Sequence, residues 1–265
     1  MIKLTAINPF GAMISAQDQT VDAITALDPK LLEKLLFEHK ILVFRGFSPS
    51  PDEEYLGFCK KFGDLMHWEF GPLLNVRMEQ DPKNHIFSKG RVELHWDGAF
   101  ANQTPRINAF QCVRSSIDGV GGETLFVDTS KIIANAEKED LENWSEIRLN
   151  YSTEKKAHYG GDVEVRFIEN HPHSQHKIIR FIEINNEDNL DVNPVRFDVS
   201  GINSKFINKE DFFDKITDKL YSPQYMYRHR WQAGDYMLID NNSVLHGRAK
   251  VEGNASRHLK RVHIL

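Results

Sequence analysis

The chain has 265 residues, 40% of them hydrophobic, with 17 phenylalanines and 4 tryptophans, which is enough for a sizeable core and excludes a disordered protein. Its net charge is a mild −5, with no basic arm or basic stripe interleaved with aromatics, so nucleic acid is not an expected partner. Two cysteines in unrelated contexts, no signal-peptide pattern and no run near the ~20 apolar residues of a membrane span lead to the expectation of a soluble, cytoplasmic protein without disulfides.

Asp28-Pro29 precedes KLLEKLLFEHK, whose leucines recur at helical spacing. This predicts a helix over 29–39 with a side-chain cap and a proline in its first turn. ILVFRGF (41–47) is a short apolar run closed by Gly46, and reads as a buried strand. SPSPDEEYLGFCKKFG predicts a second helix, with Ser50 as cap, Pro51 at the first position, Glu53 completing a capping box and Gly63 as the stop. Strands then dominate, over 73–78, 106–114, 123–128, 147–152, 177–184, 235–241 and 258–264, with helical patterning at 129–147 and 209–220. EINNEDNLDVNP (183–194) reads as a loop, and no linker or repeat divides residues 1–265, so one domain is expected. The order predicts a mainly β protein with flanking helices (α+β): a closed or sandwiched β core with helices packed outside.

RVELHWDGAF (91–100) places His95 and Asp97 two apart, so on an extended segment both side chains leave one face. An imidazole and a carboxylate there are two ligands for a divalent metal, given a third from elsewhere. Alone they read first as a hydrogen-bonded pair at a strand end, and the rest of the sequence has to supply the case for a metal. Among 12 histidines, the cluster HPHSQH (His171, His173, His176) lacks an acidic partner at ligand spacing and is interrupted by proline; it reads as an exposed turn. DYMLIDNNSVLHG offers a strand at 236–239, a turn at Asp240-Asn241-Asn242, then His246 on a short apolar segment. Gly247 behind it permits close approach of backbone or ligand. His-x-Asp plus a distant His matches the facial triad of non-haem Fe(II) oxygenases, which leaves positions open for a bidentate 2-oxo acid and for dioxygen.

A 2-oxo diacid needs a fixed cation for its far carboxylate. Arg248, Lys250, Arg257, Lys260 and Arg261 follow His246 against a single acid, Glu252. In RHLKRVHI, alternation puts Arg257, Leu259, Arg261 and His263 on one face, with Arg257 and Arg261 ~13 Å apart at ~3.3 Å per residue. One arginine could clamp the co-substrate and the other a substrate carboxylate; equally, the strand could be a solvated edge. GGETLF puts Thr124 just inside a strand, where a hydroxyl could bond the same carboxylate, although Gly-Gly-x-Thr is also an ordinary turn entering a strand.

The order H-x-D, Gly-Gly-x-Thr, distal His and an Arg eleven positions later resembles the TauD/TfdA superfamily of Fe(II)/2-oxoglutarate oxygenases. FGDLMHWEFGPLL, NHIFSKGRVELHWDGAF, KKAHYGGDVEVRFIENHP and LHGRAKVEGNASRHLKRVHI are similar to the PvcB-type (IsnB-type) oxygenases of isonitrile biosynthesis, and the resemblance runs over roughly residues 30–264. It implies a double-stranded β-helix (jelly-roll) core, with His95, Asp97 and His246 on Fe(II), Thr124 and Arg257 on 2-oxoglutarate, and O₂ as the second co-substrate. It also implies Arg261 and Phe100 on the substrate, Phe100 standing where some members carry Tyr. Trp68, Phe70 and Trp96 are further candidates to shape the pocket, although as a group aromatics are more often core than contact.

PvcB-type enzymes act on an amino-acid isonitrile, usually from tyrosine, and place a double bond in its side chain. Once hydrogen is removed from the benzylic carbon, the para-hydroxyl can stabilise a cation there as a quinone methide, so a second oxidation competes with hydroxylation. Loss of CO₂ or of the α-proton then gives a vinyl or an acrylate isonitrile. The expected partner is thus a small molecule, with no nucleic acid and no membrane, and a homo-oligomer is compatible with the chain. Alternatives are a TauD-like hydroxylase of a small sulfonate or carboxylate and a cupin-like metal binder, which would need neither Arg257 nor Thr124. A zinc hydrolase would want more histidines near the first motif and an acid to activate water.

Overall fold

The computed structural model describes residues 2–19, 22–115, 119–153, 161–183, 195–200, 209–253 and 256–265. Two short strands, β1 (Thr5–Ala6) and β2 (Ala12–Ser15), lead to helix α1 (Pro29–His39). Asp28 caps α1 by accepting the Lys30 N–H, and Pro29 sits in the first turn, where a missing N–H is harmless. Leu32 and Leu36, one turn apart, form its buried face. Strand β3 (Ile41–Arg45) follows, buried over its apolar length.

Helix α2 (Asp52–Lys60) starts differently from expectation, because Ser50 does not cap it and no capping box forms. Ser50 is buried: its N–H donates to the Tyr236 hydroxyl and its carbonyl accepts from Gln111. Core partners therefore claim Ser50, and Pro51 takes the N-terminal position with Asp52, Glu53 and Glu54 on the positive end of the helix dipole.

Beyond α2 run β4 (Leu73–Arg77), β5 (Val92–His95), β6 (Ile107–Ser115), β7 (Gly119–Gly121) and β8 (Thr124–Asp128). The helical stretch expected at 129–147 is two helices, α3 (Thr129–Ala134) and α4 (Lys138–Ser145), because Asn135 turns its amide back onto the Lys131 carbonyl and ends the first. Then come β9 (Arg148–Thr153), β10 (Val163–Arg166), β11 (Ile168–Asn170), β12 (Lys177–Ile179) and β13 (Val195–Ser200). The ladder expected over 177–184 stops at Ile179, since Glu183 turns to bond Leu94 of β5 through both backbone and carboxylate. Most of the expected 183–194 loop lies outside the described residues. Helix α5 (Lys209–Leu220) precedes β14 (Met226–His229), β15 (Tyr236–Asp240), β16 (Val244–Arg248), β17 (Val251–Gly253) and β18 (Arg257–Ile264).

Seven strands form one sheet in the order β1-β2-β3-β15-β6-β18-β4, antiparallel except for β2 against β3. Four more form an antiparallel sheet, β14-β8-β16-β5. The two face each other: Ile41, Val43, Phe110, Met237 and Ile239 of the large sheet share a core with Phe126 and Val244 of the small one. Alternation along β15 sends Tyr236 and Leu238 the other way, against α1 and α2. On the far side of the small sheet, Leu94, Leu125 and Leu245 pack under α3, α4 and α5 and under Leu149 and Tyr151 of β9. This mainly β architecture with flanking helices agrees with the pattern of the sequence. Among the described residues no helix is long and apolar enough to cross a membrane.

Candidate metal centre

Strand β16 lies between β8 and β5, and its His246 is the direct cross-strand partner of His95. The register slips immediately after this pair, at Gly247. A Cβ on Gly247 would stand 2.6 Å from the Val92 carbonyl oxygen, so only glycine lets β5 come this close. The two imidazoles consequently sit with centroids 4.4 Å apart. Asp97 lies in the turn beyond the end of β5, with Oδ1 3.7 Å from His95 Nε2 and Oδ2 3.4 Å from His246 Nε2. One donor atom from each of the three lies within 4.8 Å of the others. The Nδ1 of His95 is 2.7 Å from the Glu93 carbonyl, so Nδ1 carries the proton and Nε2 turns its lone pair inward.

The electrostatics suit cation binding. Burial pushes His246 down to about 4, leaving a neutral imidazole at ordinary pH. For His95 burial also opposes the charged form, but the Asp97 carboxylate outweighs it and raises the group. Burial alone would raise Asp97; the Arg261 guanidinium, then His263 and His246, hold it well below the usual carboxylate range. Two imidazoles and one carboxylate converging beside a cavity are the donor set of a facial triad and fit a divalent first-row metal.

Strand β18, from the opposite sheet, supplies the other half of the site. Arg257 donates to the Thr124 hydroxyl at 2.8 Å, Leu259 lines the cavity, Arg261 reaches the Asp97 oxygens at 3.1 and 3.3 Å, and His263 Nε2 lies 3.0 Å from Asp97 Oδ2. The face expected from alternation is therefore the one that meets the site. His95, Thr124, His246, Arg248, Arg257 and Arg261 line one cavity that opens to solvent. Among the described residues Arg257 has no ion-pair partner, and its Nε finds no hydrogen-bond acceptor. Burial, with repulsion from Arg248, holds it down to about 9, so it is still charged at neutral pH. Arg248 is tied instead to the carbonyls of Ile86, Ser88 and Gly90. The Thr124 hydroxyl accepts from both Arg257 and Trp231, which fills its lone pairs and leaves its own proton free to donate.

The remaining aromatic candidates fall around rather than in this cavity. Phe100 is half-buried against the cluster containing Leu94 and Trp96, and does not line the cavity. Trp96 is core, edge-on to Tyr151. Trp68 donates to His263 Nδ1 at 3.2 Å and carries the exposed Phe70 stacked upon it.

The histidine cluster overturns a further expectation. HPHSQH is not simply an exposed turn, since His171 is fully buried and bonded to Asp240 at 3.2 Å. Its acid stands 69 positions away, so nearest-neighbour inspection misses it. Sequence reasoning also missed Asn108, His263 and Asn241 as supports of Asp97. An asparagine in the apolar run INAFQC was the available signal for the first.

The chain matches the model of the family "Taurine catabolism dioxygenase TauD, TfdA family" over residues 5–263. It is 38% identical, over 98% of its own length and 94% of the relative's, to the 3-((Z)-2-isocyanoethenyl)-1H-indole synthase of Fischerella ambigua. It is 34% identical, over 90% and 81%, to the tyrosine isonitrile desaturase of Pseudomonas aeruginosa. The solved structure of PvcB, described as an Fe, alpha-ketoglutarate dependent oxygenase from an isonitrile synthetic pathway, superposes with a TM-score of 0.81 at 29% identity, covering 99% of this chain and 91% of that one. With the sheet order, the His-Asp-His cluster and a family match that spans nearly every residue in agreement, the chain belongs to the TauD/TfdA family of dioxygenases.

Proposed function

We propose that this protein is an Fe(II)/2-oxoglutarate-dependent oxygenase that desaturates the side chain of an amino-acid isonitrile, converting tyrosine isonitrile to a vinyl or an acrylate isonitrile. One observation carries the reading: a two-histidine, one-carboxylate donor set shares its cavity with a half-buried arginine that has no counter-ion among the described residues. A metal-binding protein without turnover has use for the donor set but none for a partly desolvated cation without a counter-ion, which costs stability unless an anion arrives. The similarity to the tyrosine isonitrile desaturase and to PvcB supports the substrate class.

His95, Asp97 and His246 would hold iron, which with 2-oxoglutarate and O₂ would supply the oxidant for removing hydrogen from the substrate. The protein's own contribution is placement. Arg257 takes the far carboxylate of 2-oxoglutarate in a charge-assisted bond, and the free Thr124 proton donates to the same group. Arg261, between Asp97 and the cavity, holds the substrate carboxylate and so fixes how the substrate side chain lies in the cavity. The contact expected of Phe100 has no support in its packing. The two facing sheets are read as a double-stranded β-helix within a single catalytic domain, supported by the shared inner core and the length of the family match.

The relative named for an indole product favours a second substrate, tryptophan isonitrile, because an indole nitrogen can stabilise a cation beside the ring as a para-hydroxyl does. The test is mass spectrometry of products from both isonitriles with Fe(II), 2-oxoglutarate and O₂, alongside succinate release. Loss of two hydrogens, with or without CO₂, is expected. A product that only gains oxygen, or turnover confined to small sulfonates or carboxylates, would favour the hydroxylase reading.

A further inference from the structure

The turn joining β15 to β16, Asp240 to Ser243, is made of four polar residues, all of them buried. Such burial costs free energy unless every group is satisfied, so the partners are informative. Asp240 accepts from His171 and from the Ser243 hydroxyl, and His176 Nε2 lies 2.9 Å from that hydroxyl. His171, His176 and Asp240 therefore form a second cluster at metal-ligand spacing. It does not suit a metal: His171 Nδ1 accepts the His173 N–H at 3.0 Å, which leaves the ring proton on Nε2, facing Asp240. The cluster is a hydrogen-bonded clip that pins the turn to the hairpin β11–β12.

Asn241 points the other way, toward the metal centre. Its Oδ1 accepts the Asp97 N–H at 3.0 Å and an Asn108 amide proton at 3.1 Å, while its Nδ2 donates to the Asp97 carbonyl at 3.0 Å and the Pro105 carbonyl at 2.7 Å. The flipped amide would set donor against donor at Asp97, so the orientation is fixed. One amide thus holds both the N–H and the C=O of a single residue, as two opposed residues of an antiparallel pair do. Asp97 needs this. His95 and His246 are registered by the β5–β16 ladder, whereas Asp97 lies past the strand end and has no ladder partner. Asn108 completes the arrangement, donating to Asn241 Oδ1 and to Asp97 Oδ2 at 2.9 Å.

We infer that Asn241 is a positioning residue for the metal, substituting for the missing strand partner of Asp97 and setting the direction from which its carboxylate joins His95 and His246. The inference rests on the triad being a metal site. It is tested by titrating the metal-free protein with Co(II), following the visible absorption of the bound ion, and recording thermal midpoints without metal. Asn241→Asp is nearly isosteric but loses both donors, and Asn241→Ser keeps one. Supports of a metal ligand are typically worth about 10- to 100-fold in affinity, so the loss should approach that range in Asn241→Asp and be smaller in Asn241→Ser. Thr129→Val, which removes the hydroxyl bond to the Ser243 carbonyl at the other end of the turn, should lower the midpoint and leave Co(II) affinity at the parental value.

Parental affinity in both Asn241 variants would overturn the inference. So would a larger loss in Asn241→Ser than in Asn241→Asp, which would point to packing, or an equal loss in Thr129→Val at a matched drop in midpoint. If Asn241→Asp does not fold, Asn241→Ser against Thr129→Val decides alone. Failure of the parent itself to bind Co(II) would instead refute the triad.

Discussion

Arg257 carries two effects of opposite sign, and Arg257→Leu should separate them. Among the described residues the half-buried guanidinium has, without co-substrate, one neutral partner, the Thr124 hydroxyl, an unpartnered Nε, and the buried cation Arg248 as neighbour. The bond to Thr124 is worth on the order of 1.5 kcal/mol, whereas burying a charge without a counter-ion costs several. Leucine removes that cost, so the variant without 2-oxoglutarate should be more stable by roughly 1–3 kcal/mol, or about 2–10 °C in Tm for a chain of this size. With 2-oxoglutarate the balance reverses. A charge-assisted bond to a carboxylate contributes about 1.5–3 kcal/mol, so the KM for 2-oxoglutarate should rise roughly 10- to 150-fold while that for the isonitrile changes little. Thermal melts with and without 2-oxoglutarate, together with steady-state kinetics, read both signs. The parent should gain Tm on adding 2-oxoglutarate and the variant should not. A variant that melts below the parent in the absence of 2-oxoglutarate, or keeps the parental KM, refutes the assignment of Arg257 as an anion clamp.

Three further outcomes are expected. His95→Ala and His246→Ala should each lose bound iron and succinate release while retaining the fold, and full succinate release from either would sink the triad. Arg261→Ala should keep releasing succinate while desaturated product falls by up to about 100-fold, since small misplacements near a reacting centre have that effect. Arg261→Lys should restore the product-to-succinate ratio only in part, lacking the planar fork, and an unchanged ratio in both shows that Arg261 serves Asp97 alone. Gly247→Ala should push β5 from β16, because the new Cβ would lie 2.6 Å from the Val92 carbonyl oxygen; stoichiometric iron in that variant would contradict the role given to the close approach.

What the sequence made legible follows from where the information lies. His95 and Asp97 are neighbours in the chain, and the inward face of β18 obeys a period of two, so local pattern sufficed to place Arg257, Arg261 and His263 together. The large sheet alternates as cleanly, with Met237 and Ile239 to one side and Tyr236 and Leu238 to the other. The failures share a different cause. Ser50 was expected to serve its own helix, but Tyr236, 186 positions on, recruits its backbone. His171 lacked an acidic partner in its own segment because Asp240 comes from another strand. Asn241 and Asn108 gave no periodic signal, since their value lies in meeting one turn that neither adjoins in sequence. Local propensity reports what a segment prefers; it is silent about which distant segment will claim a side chain.

Thr124 and Arg257 meet across the cavity from opposite sheets, and Arg261 likewise reaches Asp97 in the turn after β5. Any molecule gripped by the first pair is therefore a non-covalent rivet through the sandwich. Without it, one neutral bond, Arg257 to Thr124, joins the strands at this end, and the amides of β8 and β18 should open largely in separate events. With it, opening either sheet end must first release the occupant. Deuterium uptake at β8 and at β18 should then slow together on loading with 2-oxoglutarate, by a common factor set by the occupancy rather than by the native protection of each strand. In a protein built this way the co-substrate is also a structural member, and scarcity of 2-oxoglutarate would shorten the lifetime of the enzyme as well as its output.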